Sequence, residues 1–144
     1  MFAADLVRAI HQGCDNPPRV YVEFIRASSY GNERDSSGEV KIRLDTDHPL
    51  QGRNVLLVED IVDTGVTINF LLSLYALRYP ATLELVTLLD KQGRRKIEVP
   101  IAMSGFKIPP VFVIGYGLDD QGACRDWPYI ATDEAGALSV APAA

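Results

Sequence analysis

The chain has 144 residues, 47% of them hydrophobic and 23% charged, which supplies one core; two domains of about seventy residues each would be marginal without staples. A net charge of −5 and a pI near 4.9 argue against nucleic acid as a partner, because a duplex-binding surface normally carries a basic balance. No apolar run approaches the roughly 20 residues that span a bilayer, so no membrane partner is expected.

Residues 1 to about 12 read as a helix. Phe2, Leu6 and Ile10 recur at i, i+4 and i+8, and Val7 widens the stripe. Asp5 and Arg8 interrupt the apolar stretch and no small-residue cleavage site follows, so it does not read as a secretory signal. Gly13 and Pro17-Pro18 end the helix. Residues 19–27 (RVYVEFIRA) alternate β-branched and aromatic side chains and predict a strand. Residues 28–39 (SSYGNERDSSGE) are polar and aperiodic. A loop of that length in a compact domain is more often functional than idle, hairpin slack being the plainer reading. Residues 40–44 (VKIRL) should pair with the strand before them, and 45–53 form a turn-rich connection.

Residues 54–60 (NVLLVED) hold four consecutive apolar side chains and predict a buried central parallel strand. A helix is expected over 67–79, with Ile68, Leu71, Leu72, Tyr75 and Tyr79 on one face and Pro80 as the stop. Residues 83–89 are the next strand. Strand, helix and strand within about thirty-five residues make a βαβ unit, right-handed by default. Residues 101–103 and 111–116 supply two more strands. The small, unpatterned tail at 132–144 is expected to be disordered. Cys14 and Cys124 lie far apart and outside any metal-ligand spacing. Neither a disulfide framework nor a zinc site is expected, which fits a reducing cytoplasm.

The sharpest feature is residues 58–67, VEDIVDTGVT. A hydrophobic strand ends in Glu59 and Asp60, and Asp63, Thr64, Gly65, Val66 and Thr67 lead into the helix. Ligands of open α/β sheets bind outside the carboxyl ends of the strands, where these residues lie. Gly65 allows close backbone approach. The first N–H groups of the helix, with the Thr64 and Thr67 hydroxyls, make an anion site suited to a phosphate monoester. The plainer reading is a capped helix with Asp63 or Thr64 as N-cap. It leaves two further carboxylates at the end of a buried strand unexplained. There is no Walker A loop, and Asp120 stands where a dinucleotide fingerprint starting at Gly115 needs its last glycine.

VLLVEDIVDTGVT closely resembles the phosphoribosyl-diphosphate signature of type I phosphoribosyltransferases. The flanking VEFIRASSYGNE, LLDKQGRR, SGFKIPPVFVIGYGLD and CRDWPYI narrow the resemblance to the hypoxanthine-guanine phosphoribosyltransferase family, collinear from residue 1 to about 131. It implies an α/β fold: a mostly parallel sheet flanked by helices, a small hood and a flexible active-site loop, in one domain over 1–131. It implies transfer of 5-phosphoribosyl from phosphoribosyl diphosphate to N9 of hypoxanthine or guanine, giving IMP or GMP and pyrophosphate with Mg2+.

The same resemblance assigns roles. Glu59 and Asp60 would receive the ribose hydroxyls and, with Asp119, serve the metal. Asp63 would be the general base or acid at purine N7, and residues 63–67 would cradle the 5′-phosphate. Lys91 would donate to the purine 6-oxo group, Phe112 would stack on the base and the Val113 backbone would read its edge. Asp119 would also lie beside the purine. Arg95 and Arg125 would meet pyrophosphate, while Arg94 and Lys96 read as surface charge. Ser29 and Tyr30 would sit on the closing loop and exclude water.

Three departures stand out. The family normally carries a first strand and a Lys-Gly pyrophosphate loop ahead of the helix that opens this sequence. Asp120 replaces an aromatic residue, and Ala123-Cys124 replaces a bulky region before Arg125. The expectation is a chain lacking the first family strand, binding IMP or GMP better than it turns over phosphoribosyl diphosphate, and self-associating as a dimer or tetramer. The alternative is a reduced, non-catalytic binding paralogue.

Overall fold

In the computed structural model, residues 1–29 and 40–132 are described, the side chains of Ser28 and Ser29 excepted. Tyr30, the rest of the expected closing loop to residue 39, and the tail from 133 lie outside the described residues.

Helix α1 (Phe2–Gln12) forms where the apolar stripe places it. Phe2, Leu6, Val7 and Ile10 are half-buried, while Asp5, Arg8 and His11 are exposed. Of the strand expected over 19–27, only β1 (Arg26–Ser29) is paired, antiparallel to β2 (Val40–Leu44). Residues 20–25 have strand-type side chains but no ladder, and Val20, Tyr21, Val22 and Phe24 are exposed. Propensity marks a segment fit for a sheet; a strand exists only where a neighbour supplies the hydrogen bonds.

β3 (Asn54–Val62), α2 (Val66–Ala76) and β4 (Thr82–Lys91) form the expected βαβ unit. β3 and β4 run parallel, with Asn54 opposite Thr82 and Val62 opposite Asp90. β5 (Ile101–Ile108) adds parallel on the other side of β4. The order β3-β4-β5 makes β4 the central strand, not β3 as the VLLV run suggests. Accordingly β4 buries Leu85, Val86, Thr87, Leu89, Asp90 and Lys91, whereas β3 buries Leu57 and Val62. A strand with neighbours on both edges stays buried along its length.

On α2 the expected face is real at Ile68, Leu71 and Tyr75, all buried against Leu57, Val62 and Leu85. Each such side chain contributes about 1.5–3 kcal/mol relative to exposure. Tyr79 departs from that face. The helix ends at Ala76, and Tyr79 has φ 53° and is 76% exposed. Pro80 disfavours helical geometry in the residue before it, so the chain leaves the helix one turn early. Asp45 accepts from the Tyr75 hydroxyl and the Arg78 guanidinium, which fixes the 45–53 connection to the end of α2.

The expected strand at 111–116 contracts to β6 (Val113–Ile114), antiparallel to β7 (Ala131–Thr132). Pro109-Pro110 precedes it and the turn at Gly115 ends it. Leu89, Ile108, Val113, Leu118 and Ile130 form a second buried cluster beneath this region. Among the described residues no helix is long and apolar enough to cross a membrane.

Candidate active site

β3 delivers Glu59 and Asp60, half-buried, at its carboxyl end. Burial pushes the Glu59 carboxyl up to about 8, and the Asp60 carboxylate beside it adds to the shift. Two adjacent carboxylates in a partly dry place resist full ionisation until hydroxyls or a cation reach them.

The turn that follows is built around backbone. Gly65 is buried with φ 81°, and a Cβ there would lie 2.1 Å from the Ile97 carbonyl oxygen. The Thr64 carbonyl accepts the N–H groups of Lys96 at 2.9 Å and Ile97 at 3.1 Å, so the 95–97 segment clamps the turn. Gly65 itself is the N-cap of α2, with no side-chain cap. Asp63 and Thr64 therefore do not cap the helix, and the N–H groups of its first turn, at Val66 and Thr67, have no side-chain acceptor from a cap. The positive end of a helix dipole thus faces the same turn as the carboxylates.

Lys91 ends β4 and is buried. Its Nζ lies 3.5 Å from Asp63 Oδ2, and Arg94 Nε lies 3.7 Å from Asp63 Oδ1. Asp63 Oδ1 is also the buried side-chain oxygen, among the described residues, without a hydrogen-bond partner. Arg94 is exposed, as a surface charge is, and also faces Asp63 at 3.7 Å. No sequence signal links positions 63 and 94; the parallel alignment of β3 and β4 brings them together. Arg95 pairs with Asp90, two side chains almost fully covered, and its Cδ packs close to Gly65.

Phe112 is 52% exposed, unlike a core strand residue, while Val113 next to it is buried. Asp119 and Arg125 form a second group. The Arg125 guanidinium forms an ion pair with Asp119 Oδ1 at 2.8 Å and donates to the Gly117 carbonyl at 2.6 Å, and the Gly122 N–H donates to Asp119 Oδ2 at 2.7 Å. Ser29 pairs with Val40 at the end of β1, where the closing-loop expectation begins.

The family description "Phosphoribosyl transferase domain" matches residues 1–121. The chain belongs to the phosphoribosyltransferase family. It is 45% identical over 130 residues to the hypoxanthine-guanine phosphoribosyltransferase of Dictyostelium discoideum, covering 90% of this chain and 71% of that protein. Its fold matches a hypoxanthine phosphoribosyltransferase of Staphylococcus aureus with TM-score 0.82 at 40% identity, over 91% of this chain and 68% of that one. A mutant hypoxanthine phosphoribosyltransferase of Trypanosoma cruzi, complexed with the product IMP, matches with TM-score 0.81 at 46% identity, over 90% of this chain and 64% of that one. The protein is therefore an enzyme of the hypoxanthine-guanine branch. This phosphoribosyltransferase has the α/β fold, parallel at its centre, that its β3 signature implied.

Proposed function

We propose that this phosphoribosyltransferase acts in purine salvage, moving 5-phosphoribosyl from phosphoribosyl diphosphate to N9 of hypoxanthine or guanine. The bond from C1′ to the pyrophosphate oxygen breaks, the bond from C1′ to N9 forms, and IMP or GMP and pyrophosphate leave. Asp63 carries the reading. Its Oδ1 is buried without a hydrogen-bond partner, while Lys91 faces Oδ2 at 3.5 Å and Arg94 lies 3.7 Å from Oδ1. The two cations keep the carboxylate ionised, and the open acceptor at Oδ1 suits it to receive the proton the purine sheds as N9 attacks.

The other residues fall into place around it. The uncapped start of α2 at Val66 and Thr67, with the Thr64 hydroxyl and the close approach at Gly65, takes the 5′-phosphate. Glu59 and Asp60 receive the ribose hydroxyls, and their charge favours the cationic ribose of the transition state. Lys91 donates to the purine 6-oxo group, the exposed face of Phe112 stacks on the base, and the Val113 backbone reads its edge. Arg125 meets pyrophosphate, as does Arg95 from its pairing with Asp90; Ser29 and Tyr30 belong to the closing loop.

No group of three metal-ligating side chains occurs among the described residues. Mg2+ fits that condition, because it keeps waters and substrate oxygens and needs only one or two carboxylates. Glu59, Asp60 and Asp119 are the residues to hold it, and when bound it offsets the charge of the diphosphate. A dimer or tetramer in the cytoplasm completes the proposal; the free Cys14 and Cys124 suit a reducing setting.

The test is steady-state turnover with hypoxanthine, guanine, xanthine and adenine, paired with Asp63→Asn. The 6-oxopurines should be used and adenine refused, since Lys91 donates and cannot accept from a 6-amino group. Asp63→Asn should keep IMP affinity and lose about 10²-fold or more in rate. Nucleotide binding without turnover in the parent would instead establish the non-catalytic binder, and equal rates in parent and variant would remove Asp63 from the chemistry.

A further inference from the structure

Tyr116 stands out in the turn that leaves β6. Gly115, Tyr116 and Gly117 have φ of 90°, 54° and 105°. Three successive left-handed residues bend the chain sharply, and the turn closes with Gly115 and Leu118 exchanging N–H to C=O bonds of 3.0 Å each. Glycine takes this geometry freely; for tyrosine it is strained. The Tyr116 N–H donates to the Trp127 carbonyl at 2.9 Å. Its hydroxyl donates to Asp5 Oδ2 on the first turn of α1, 111 positions away. Arg8 donates to the other Asp5 oxygen at 2.7 Å. The Tyr116 hydroxyl, more than Arg8, holds the Asp5 carboxyl below its usual range. Burial, with Asp5 beside it, pushes Tyr116 up to about 12. A Cβ on Gly117 would lie 3.8 Å from the Met1 nitrogen, so the start of α1 abuts the same turn.

The turn is also rigidly tied to Asp119 and Arg125. The Gly117 N–H donates to the Arg125 carbonyl at 3.0 Å, while the Arg125 guanidinium reaches back to the Gly117 carbonyl and across to Asp119. Displacing Gly117 therefore displaces both side chains.

We propose that Asp5 and Tyr116 are a positioning pair, whose hydrogen bond locks the first turn of α1 to the 115–118 turn and so sets Asp119 and Arg125 for the diphosphate-and-metal end of the reaction. The inference rests on the reading that Asp119 and Arg125 serve that end. Neither Asp5 nor Tyr116 is placed against substrate; each acts through the turn. The spare Asp5 oxygen is occupied by Arg8, which keeps the carboxylate aimed at Tyr116.

The test compares the full chain with Tyr116→Phe, Asp5→Ala and Asp5→Asn. Three quantities are read: affinity for inorganic pyrophosphate with Mg2+ by calorimetry, affinity for IMP, and KM for phosphoribosyl diphosphate against KM for hypoxanthine. Tyr116→Phe and Asp5→Ala should weaken pyrophosphate binding and raise the diphosphate KM by about tenfold, the effect of losing one hydrogen bond to a charged group. IMP affinity and hypoxanthine KM should stay within about twofold. Asp5→Asn keeps an acceptor oxygen and should restore most of the loss. The double variant Tyr116→Phe with Asp5→Ala should be no worse than either single change. Equal loss on all ligands, or parental pyrophosphate affinity in Tyr116→Phe, overturns the pair's role. Should the parent itself bind no pyrophosphate while binding IMP, the assignment of Asp119 and Arg125 fails first and takes the pair with it.

Discussion

Gly65 shows how a single backbone position governs the site. Its φ of 81° and the Ile97 carbonyl 2.1 Å from its missing Cβ leave no room for a side chain. Gly65→Ala adds about 1–2 kcal/mol of left-handed backbone strain, with a steric clash on top. The expected outcome is a lower melting temperature and loss of IMP binding together, checked by calorimetry on one preparation. Lys91 makes a chemical prediction. Lys91→Ala removes the buried donor 3.5 Å from Asp63, and 6-oxopurine ligands should weaken by about 1.5–3 kcal/mol while ribose 5-phosphate binds as before. A uniform loss on both ligands would place Lys91 in the scaffold.

Glu59 ties the same residues to pH. Its carboxyl is raised from 4.5 to about 8, so between those values the folded chain keeps a proton that the unfolded chain has lost. Stability therefore falls as pH rises through that window, by up to about 1.4 kcal/mol per pH unit. Glu59→Gln should flatten the slope and be more stable than the parent at pH 8. Urea unfolding from pH 5 to pH 9 decides it; parallel curves would contradict the buried-carboxylate assignment.

Among the elements, α2 was legible and its end was not. The 3.6-residue spacing of Ile68, Leu71 and Tyr75 is printed in the sequence, but the exit at Ala76 depends on Pro80 and on what Asp45 holds. The Arg78 guanidinium keeps the Asp45 carboxyl below its ordinary 3.8, with the Thr46 N–H and Tyr75 hydroxyl adding to the effect against burial. That contribution is complete above about pH 4 and fades as pH falls through the folded value. Asp45→Asn should cost about 1 kcal/mol at pH 7, discounted for the pair's partial exposure, and the gap from the parent should narrow in acid. The strand at 19–27 was legible only as a preference. Its alternation is clear, yet residues 20–25 meet no ladder among the described residues.

At the scale of the whole molecule, that unpaired segment makes a prediction. Val20, Tyr21, Val22 and Phe24 are exposed, Phe24 at 72%, in a stretch that pairs with no strand among the described residues. Exposed apolar strand-like surface favours association. The 144-residue chain should sediment as more than a monomer, and Val22→Lys with Phe24→Lys should shift it toward the monomer. An unchanged distribution would place the contact elsewhere on the surface.

The βαβ unit and the turn at Gly65 are legible in the chain alone, because both depend on neighbours within about thirty-five residues: an apolar run, two carboxylates, a glycine and a helical stripe. The sequence also carried the family, through motifs kept in order. Tertiary pairing fixes that β4 rather than β3 is central, that Arg94 joins Lys91 at Asp63, that Arg95 pairs with Asp90, and that Asp5 reaches Tyr116. Each of these is a contact between separate elements or a rank in the sheet. Local pattern reports which face of an element is apolar; it does not report which strand has two neighbours or which distant side chain lies within reach of a carboxylate. Those follow from the parallel pairing of β3, β4 and β5 and from the left-handed turn at 115–117, which bring together residues the chain keeps apart.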